Sequence, residues 1–92
     1  LAEDSFRRAL QINPRDAEAQ HHYGLFYCEK ARYVEADRLF EQALASPTYK
    51  NRPRTLLVQG VCLLRAGKLP EAEAALARAY EFDPANPIAA YN

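Results

Sequence analysis

The sequence has no methionine and no tryptophan, and only three of its 92 residues are glycine. Twelve Lys and Arg balance twelve Asp and Glu, so no net charge draws the chain to nucleic acid or to an anionic membrane. Its apolar runs are far shorter than the roughly 20 residues of a transmembrane helix. No glycine-rich phosphate loop and no Ser/His/Asp set is present. These absences argue against an enzyme, a nucleic-acid-binding protein and a membrane-spanning protein.

A sparse pattern of small and bulky residues recurs three times along the chain. It reads Ala-x3-Phe-x2-Ala, with Leu in place of Phe in the third copy and a proline after the first and third copies. The positions are Ala2, Phe6, Ala9 and Pro14, then Ala36, Phe40 and Ala43, then Ala72, Leu76, Ala79 and Pro84. The first alanines of successive copies are 34 and 36 residues apart. This period is typical of tetratricopeptide repeats (TPRs), each of which is a pair of antiparallel helices.

The small residues have a physical role, because two helices pack closely only where their side chains are small. Gly24 and Gly60 supply such positions on the predicted first helices, and the alanines supply them on the second helices. One helix pair cannot bury its apolar face alone, so neighbouring pairs must stack. We therefore expect an all-α TPR solenoid without strands. The residues expected to be buried are Gly24, Ala36, Phe40, Ala43, Gly60, Ala72, Leu76 and Ala79.

The repeat frame divides the chain into four segments. Residues 1–16 are predicted to be the second helix of a truncated TPR, 17–52 and 53–86 to be complete TPRs, and 87–92 to begin a further TPR. Because the chain opens within a helix and lacks methionine, we expect it to be a fragment of a longer superhelix. Asp16 is a candidate N-cap, and Gly67 marks the turn within the second complete repeat.

The turn between the two complete repeats is two residues longer than in a standard TPR. It spans Ser46–Pro53, with prolines that stiffen it and Tyr49 as an apolar anchor. With this insertion, three runs of sequence resemble the type IV pilus biogenesis/stability lipoproteins of the PilF/PilW type. The runs are Tyr23-Gly24-Leu25-Phe26-Tyr27-Cys28, Ala43-Leu44-Ala45-Ser46-Pro47-Thr48-Tyr49 and Gly60-Val61-Cys62-Leu63-Leu64-Arg65-Ala66-Gly67. The chain departs from that family at His22, where Asn is usual, and at Ala31, which replaces a turn glycine.

The resemblance implies a pilotin: a non-enzymatic lipoprotein on the periplasmic face of the outer membrane that helps the pilus secretin to reach and assemble in that membrane. Its partner would be a secretin subunit or another pilus assembly protein. Membrane association would come only from a lipid anchor upstream of this sequence. The alternative from another class is a cytoplasmic TPR adaptor that binds a peptide segment of a regulatory or enzyme complex.

The first helices of a TPR stack line its concave face, which predicts the partner-binding residues. The predicted groove has an apolar floor and charged edges, which suits an extended or helical segment with apolar anchors. Its residues are Glu18, His21, Leu25, Cys28 and Glu29 in one repeat, Arg54, Leu57, Val61, Leu64 and Arg65 in the next, and Ile88 and Tyr91 beyond them. The competing possibility is that neighbouring helices outside this sequence cover the apolar part.

Two other kinds of TPR site are disfavoured by the residues at these positions. A carboxylate clamp needs Lys, Arg and Asn where this chain has His21, Leu25, Val58, Ile88 and Asn92, and Arg54 alone cannot form a two-sided cradle. A metal site is also disfavoured, because adjacent histidines on a helix point about 100° apart and cannot chelate one ion together. We expect no cofactor and no metal, and interpret both histidines as surface residues at the groove edge.

Cys28 and Cys62 lie on neighbouring first helices, 34 residues apart. In a reducing compartment both would be small buried hydrophobic residues. In the periplasm, which the family resemblance implies, the two could form a disulfide between the repeats. The sequence leaves both states open, because it does not give the distance between the two residues. The two-residue offset from the local 36-residue period is about half a helical turn, which helix tilt could absorb.

Overall fold

A computed structural model describes residues 2–82 of the chain. Within this range the structure contains five α-helices and no strand, which confirms the all-α prediction. The helices are α1 Ala2–Ile12, α2 Ala17–Glu29, α3 Tyr33–Leu44, α4 Arg52–Arg65 and α5 Leu69–Phe82. None of these helices combines the length and apolar character that a membrane crossing requires. The predicted start of a further repeat at 87–92 lies outside the described residues.

The helices form two pairs and one single helix. Helix α2 packs on α3, and α4 packs on α5; α3 and α4 join the pairs, and α1 packs on the open side of α2. Helices α2 and α4 also touch each other. The Asp16 carboxylate accepts a hydrogen bond from the amide of Ala19, as expected of an N-cap, and Pro53 stands in the first turn of α4.

Helix α1 is attached to α2 by aromatic and polar contacts. The Phe6 ring stacks on the Tyr23 ring with centroids 5.4 Å apart. The Glu3 carboxylate accepts hydrogen bonds from the hydroxyls of Tyr23 at 2.9 Å and Tyr27 at 3.2 Å. The Tyr23 hydrogen bond is the largest cause that lowers the pKa of Glu3. These contacts seat the single helix as a third layer.

Each helix pair closes where a glycine faces a large apolar side chain. The predicted pattern residues are buried: Gly24, Ala36, Phe40, Ala43, Gly60, Ala72, Leu76 and Ala79. A Cβ atom on Gly24 would lie 2.7 Å from the Phe40 ring, and one on Gly60 would lie 2.7 Å from Leu76. Contacts that short do not occur between carbon atoms, so the helices can approach this closely only because both positions are glycine.

The turns within the two pairs use the same backbone geometry but different residues. Ala31 has φ 62° and Gly67 has φ 80°, both in the left-handed region. In each turn the next amide bonds a carbonyl five residues back, from Arg32 to Tyr27 and from Lys68 to Leu63, both at 2.9 Å. This is the Schellman ending of a helix, which favours glycine at the left-handed position. Ala31 is therefore strained where Gly67 is not.

The two turns provide a matched pair of stability predictions. Ala31→Gly should raise the free energy of unfolding by about 1 kcal/mol, because glycine adopts the left-handed conformation without the Cβ clash. Gly67→Ala should lower it by a similar amount through backbone strain alone, since its added Cβ meets nothing within 4 Å. Urea denaturation followed by circular dichroism measures both changes. The strain interpretation fails if Ala31→Gly destabilises the protein.

A second prediction concerns the helix contact inside the first pair. Gly24→Ala should destabilise the fold by about 1–3 kcal/mol, because the buried Phe40 ring cannot move aside without disturbing its neighbours. This steric cost should exceed the roughly 1 kcal/mol by which alanine favours a helix over glycine. Adding Phe40→Leu should recover part of the loss. The double variant should therefore be more stable than the sum of the two single changes in unfolding free energy predicts. Strictly additive effects would show that Gly24 and Phe40 are not coupled.

Candidate functional site

The predicted groove residues within the described range lie on α2 and α4, the first helices of the two pairs. Because these helices touch, their exposed side chains form one surface. The apolar part of that surface is exposed on α4, where Val61 is 38% and Leu64 is 45% accessible. Leu25 is half-buried on α2. Ile88 and Tyr91 lie outside the described residues, so their place in the groove stays a prediction.

Leu57 differs from the other apolar groove residues. It is partly buried and packs against Leu44, Leu56 and Ala79, which belong to the core between α3, α4 and α5. Its side chain therefore supports the fold as well as bordering the surface. A substitution at Leu57 would mix a folding effect with any binding effect, so Val61 and Leu64 report on binding more directly.

A cleft of about 400 Å³ lies between α1 and α2. It is lined by Phe6, His22, Leu25, Phe26 and Glu29. The sequence analysis assigned Leu25 and Glu29 to the groove but did not place the two phenylalanines there. Phe6 was identified from the sequence only as a member of the repeat pattern. Its second role could have been found only from the position of α1 beside α2.

The charged residues at the groove edge pair with one another between the two repeats. The Glu18 carboxylate on α2 accepts hydrogen bonds from Asn51 at 2.5 Å and from the Arg54 guanidinium on α4 at 3.0 Å. The Asn51 hydrogen bond is the largest cause that lowers the pKa of Glu18, ahead of the charge of Arg54. Glu18 and Arg54 therefore hold α2 against α4, while Glu29 and Arg65 remain exposed.

The structure corrects the placement of His21, which we predicted to be an exposed residue at the groove edge. Its side chain is 2% accessible, and its Nδ1 atom lies 2.8 Å from the Thr55 hydroxyl on α4. Thr55 in turn shares a 2.8 Å hydrogen bond with the hydroxyl of Tyr49. The ring can be buried because the Thr55 hydroxyl of the neighbouring repeat is a polar partner for its nitrogen. His21 therefore joins the repeats and does not present a surface to a partner.

The same hydrogen bonds fix the two-residue insertion. Tyr49 is 8% accessible, so the aromatic side chain of the turn points inward, as an anchor should. Its hydroxyl reaches Thr55, and through Thr55 the ring of His21. A buried network thus connects the insertion, α4 and α2. The sequence showed the extra residues and the tyrosine, but the partners of its hydroxyl depend on the packing of two repeats.

Burial of His21 makes stability depend on pH. Desolvation is the largest cause that lowers the pKa of His21 from 6.5 to about 4, followed by the charge of Arg54. A lowered pKa favours the folded state above pH 6.5, and this stabilisation is lost as the pH falls toward 4 because the unfolded chain takes up a proton first. The loss should be about 3 kcal/mol over that window. His21→Gln should remove most of this slope in urea denaturation between pH 7 and pH 4.5.

His22 provides the matched control, since it is adjacent and exposed. His22→Gln should reduce the pH slope far less than His21→Gln does, because the charge of His22 is a smaller cause of the lowered pKa of His21 than desolvation is. Equal slopes in the wild-type protein and the His21 variant would contradict the proposed role of the buried ring.

A disulfide joins Cys28 on α2 to Cys62 on α4, with their Cα atoms 6.0 Å apart. Both residues are buried, with 3% and 6% of their surface accessible. The structure thus joins the two cysteines, whose bonding the sequence left open. The disulfide joins the two repeats and does not lie within a helix pair. The His21–Thr55 hydrogen bond and the Glu18–Arg54 ion pair join the same two helices.

Reduction of this disulfide should lower the melting temperature by more than about 10 °C. The bridge closes a segment of 34 residues, which corresponds to about 3–4 kcal/mol in the chain-entropy account of disulfides. Differential scanning calorimetry with and without a reductant measures the shift. A Cys28→Ser, Cys62→Ser variant is the control, because its melting temperature should not respond to reductant. Two freely titrating thiols in the native protein would contradict the bridge.

Within residues 2–82, no group of three His, Cys, Asp or Glu side chains is placed to hold a metal ion. Cys28 is bonded to Cys62, and the Nδ1 atom of His21 is engaged with Thr55. The exposed side chains on α2 and α4 include the apolar Val61 and Leu64 and the charged Glu29 and Arg65.

Comparison with known proteins agrees with this description. The sequence profile of the tetratricopeptide repeat matches residues 27–87. A crystal structure of PilW, a widely conserved type IV pilus biogenesis factor, matches with a TM-score of 0.87 and 39% sequence identity. The match covers 94% of this chain and 40% of the PilW chain.

Curated proteins with similar sequences come from plants and bacteria. A probable UDP-N-acetylglucosamine–peptide N-acetylglucosaminyltransferase SPINDLY from Petunia hybrida is 37% identical over 59 residues, which is 63% of this chain but 6% of that protein. The SPINDLY protein of Solanum lycopersicum is 42% identical over 50 residues, 53% of this chain and 5% of that protein. An uncharacterized protein of Haemophilus influenzae is 29% identical over 70 residues, covering 73% of this chain and 39% of that protein.

Proposed function

This chain belongs to the tetratricopeptide repeat family, and we propose that it is a non-enzymatic interaction scaffold that assists type IV pilus biogenesis. The observation that carries the proposal is the match to PilW, which extends over nearly the whole chain in both sequence and structure. The SPINDLY matches are confined to a small share of those large proteins, so they support the repeat architecture and no transferase activity.

We infer the finer role from the family resemblance and the disulfide together. The protein promotes the assembly or localisation of the outer-membrane secretin, and its partner is a secretin subunit or another pilus assembly protein. It acts at the periplasmic face of the outer membrane, where a lipid anchor upstream of this sequence would hold it. The buried bridge between Cys28 and Cys62 supports this location, since structural disulfides persist in oxidising compartments.

The partner-binding surface in this proposal is the exposed face of α2 and α4. Its centre is apolar, with Leu25, Val61 and Leu64, and Glu29 and Arg65 stand exposed at its edge. The cleft beside Phe26 extends the apolar area toward α1. A segment with apolar anchors spaced along a helix or an extended strand would bury these side chains, and the charges of both signs at the rim would set its orientation.

The surface is preorganised by contacts that do not involve the partner. The disulfide, the Glu18–Arg54 ion pair and the His21–Thr55 hydrogen bond all join α2 to α4. Because the two helices are fixed before binding, little conformational entropy is lost when a segment docks on them. In this proposal Glu18, His21 and Arg54, which were predicted to face a partner, contribute by joining the two repeats.

Mutation of the apolar centre tests the proposal. Val61→Asp with Leu64→Asp should weaken capture of the secretin subunit by about tenfold or more, because docking would bury two carboxylates without counterions. Both residues are exposed, so the helicity measured by circular dichroism should not change. The measurement is a pull-down of the purified secretin subunit by the full-length protein.

The matched control places the same substitutions on the second helices. Val34 on α3 and Leu69 on α5 are 62% and 60% accessible, and Val34→Asp with Leu69→Asp should leave secretin capture unchanged. The reverse result, with binding lost only in the control variant, would refute the groove. If the full-length protein captures a cytoplasmic regulatory or enzyme subunit and no pilus component, the cytoplasmic adaptor is the correct alternative.

A further inference from the structure

The insertion between the repeats borders two clefts that the proposed groove does not include. The first has a volume of about 330 Å³ and is lined by Arg15, Gln20, Gln42, Ala45, Ser46 and Pro47. The second, of about 580 Å³, is lined by Pro47, Thr48, Tyr49, Lys50, Arg52 and Pro53. Pro47 belongs to both linings, so the two clefts adjoin at this residue, and together they are called the insertion surface.

This surface carries positive charge on a chain that has no net charge. Arg15 contributes to the first cleft, and Lys50 and Arg52 contribute to the second. None of the residues that line either cleft is acidic. Arg15 and Lys50 are exposed, so their charges are available to a ligand. The surface is thus complementary to a segment with negative charge.

Two buried polar atoms on this surface have no hydrogen-bond partner among the residues that the structure describes. They are the side-chain oxygen of Gln20 and the Nε atom of Arg52. Gln20 is 6% accessible and uses its amide nitrogen to donate to the carbonyl of Pro14. Arg52 uses a terminal nitrogen to donate to the carbonyl of Ser46. One unpaired acceptor and one unpaired donor therefore flank the insertion, and buried groups of this kind are costly unless a ligand satisfies them.

A polypeptide backbone supplies both groups that are missing. Each residue of an extended segment presents an N–H donor and a carbonyl acceptor, which match the Gln20 oxygen and the Arg52 N–H. Ala45 and the ring of Pro47 offer apolar contact between them. Tyr49 is already held by Thr55, so the shape of the insertion exists before any ligand binds.

We propose that the insertion surface around Pro47 is a second binding site, which takes an extended acidic peptide segment. The segment crosses Pro47, its backbone pairs with Gln20 and Arg52, and its carboxylates lie against Arg15 and Lys50. This site is separate from the face of α2 and α4, and it stands whether or not that face binds a secretin subunit. This second site would give a function to the two extra residues, which the repeat architecture itself does not require.

Nuclear magnetic resonance of the isotope-labelled protein tests this proposal. The probe is an eight-residue peptide of alternating glutamate and alanine with blocked ends, and the comparison peptide has lysine in place of glutamate. We expect the glutamate peptide to shift the Gln20 side-chain amide and the Arg52 Nε–H resonances, and the lysine peptide to leave them in place. Equal shifts with both peptides, or none with either, would overturn the proposal.

Charge reversal identifies the residues responsible. Arg15→Glu with Lys50→Glu should weaken binding of the glutamate peptide by about tenfold or more. Arg8→Glu with Arg78→Glu makes the same change of charge on exposed residues that line neither cleft, and it should have a much smaller effect. Equal weakening by both variants would mean general electrostatic attraction and no site. If phosphatidylglycerol vesicles shift these resonances and the glutamate peptide does not, the surface binds lipid and the proposal is refuted.

Discussion

The close approach of paired helices depends on two positions that have no side chain. Gly24 lies against the Phe40 ring and Gly60 lies against Leu76, in each case at a distance that a Cβ atom would make impossible. This contact fixes the separation of the two helices in a pair, and so fixes which faces remain for the next pair. The first helices then meet along one line, where the disulfide, the ion pair and the buried hydrogen bonds between repeats are all found.

This dependence explains why the fold could be predicted from the sequence. Close helix contacts recur once per repeat, so small residues recur in the sequence at the same period. This period is visible in the sequence without knowledge of the structure. Ala36, Ala43, Ala72 and Ala79 are all almost fully buried, as the pattern predicted. Turn positions were readable for a similar reason, although Ala31 shows that the chain tolerates a strained residue where glycine would fit better.

The site was less predictable, because its polar contacts join residues that are distant in sequence and follow no period. His21 occupies a position that faces the groove in the repeat frame, yet its ring turns to Thr55, 34 residues away. That partner is in reach only because Tyr49 holds the insertion against the start of α4. Glu18 likewise finds Arg54 across 36 residues. The local pattern identifies the helix face on which a residue lies. Whether its side chain is exposed to solvent or packs on the neighbouring repeat depends on how the repeats pack together.

The position of the disulfide has a mechanical consequence. A solenoid bends and stretches mainly at the joints between its repeats, since each repeat contacts only its neighbours. Cys28 and Cys62 connect the two first helices across one such joint, so a covalent bond spans the place where the superhelix would otherwise open. Within residues 2–82, the joint between α2 and α4 is therefore closed by a covalent bond, whereas α1 is held on α2 by ring stacking and hydrogen bonds.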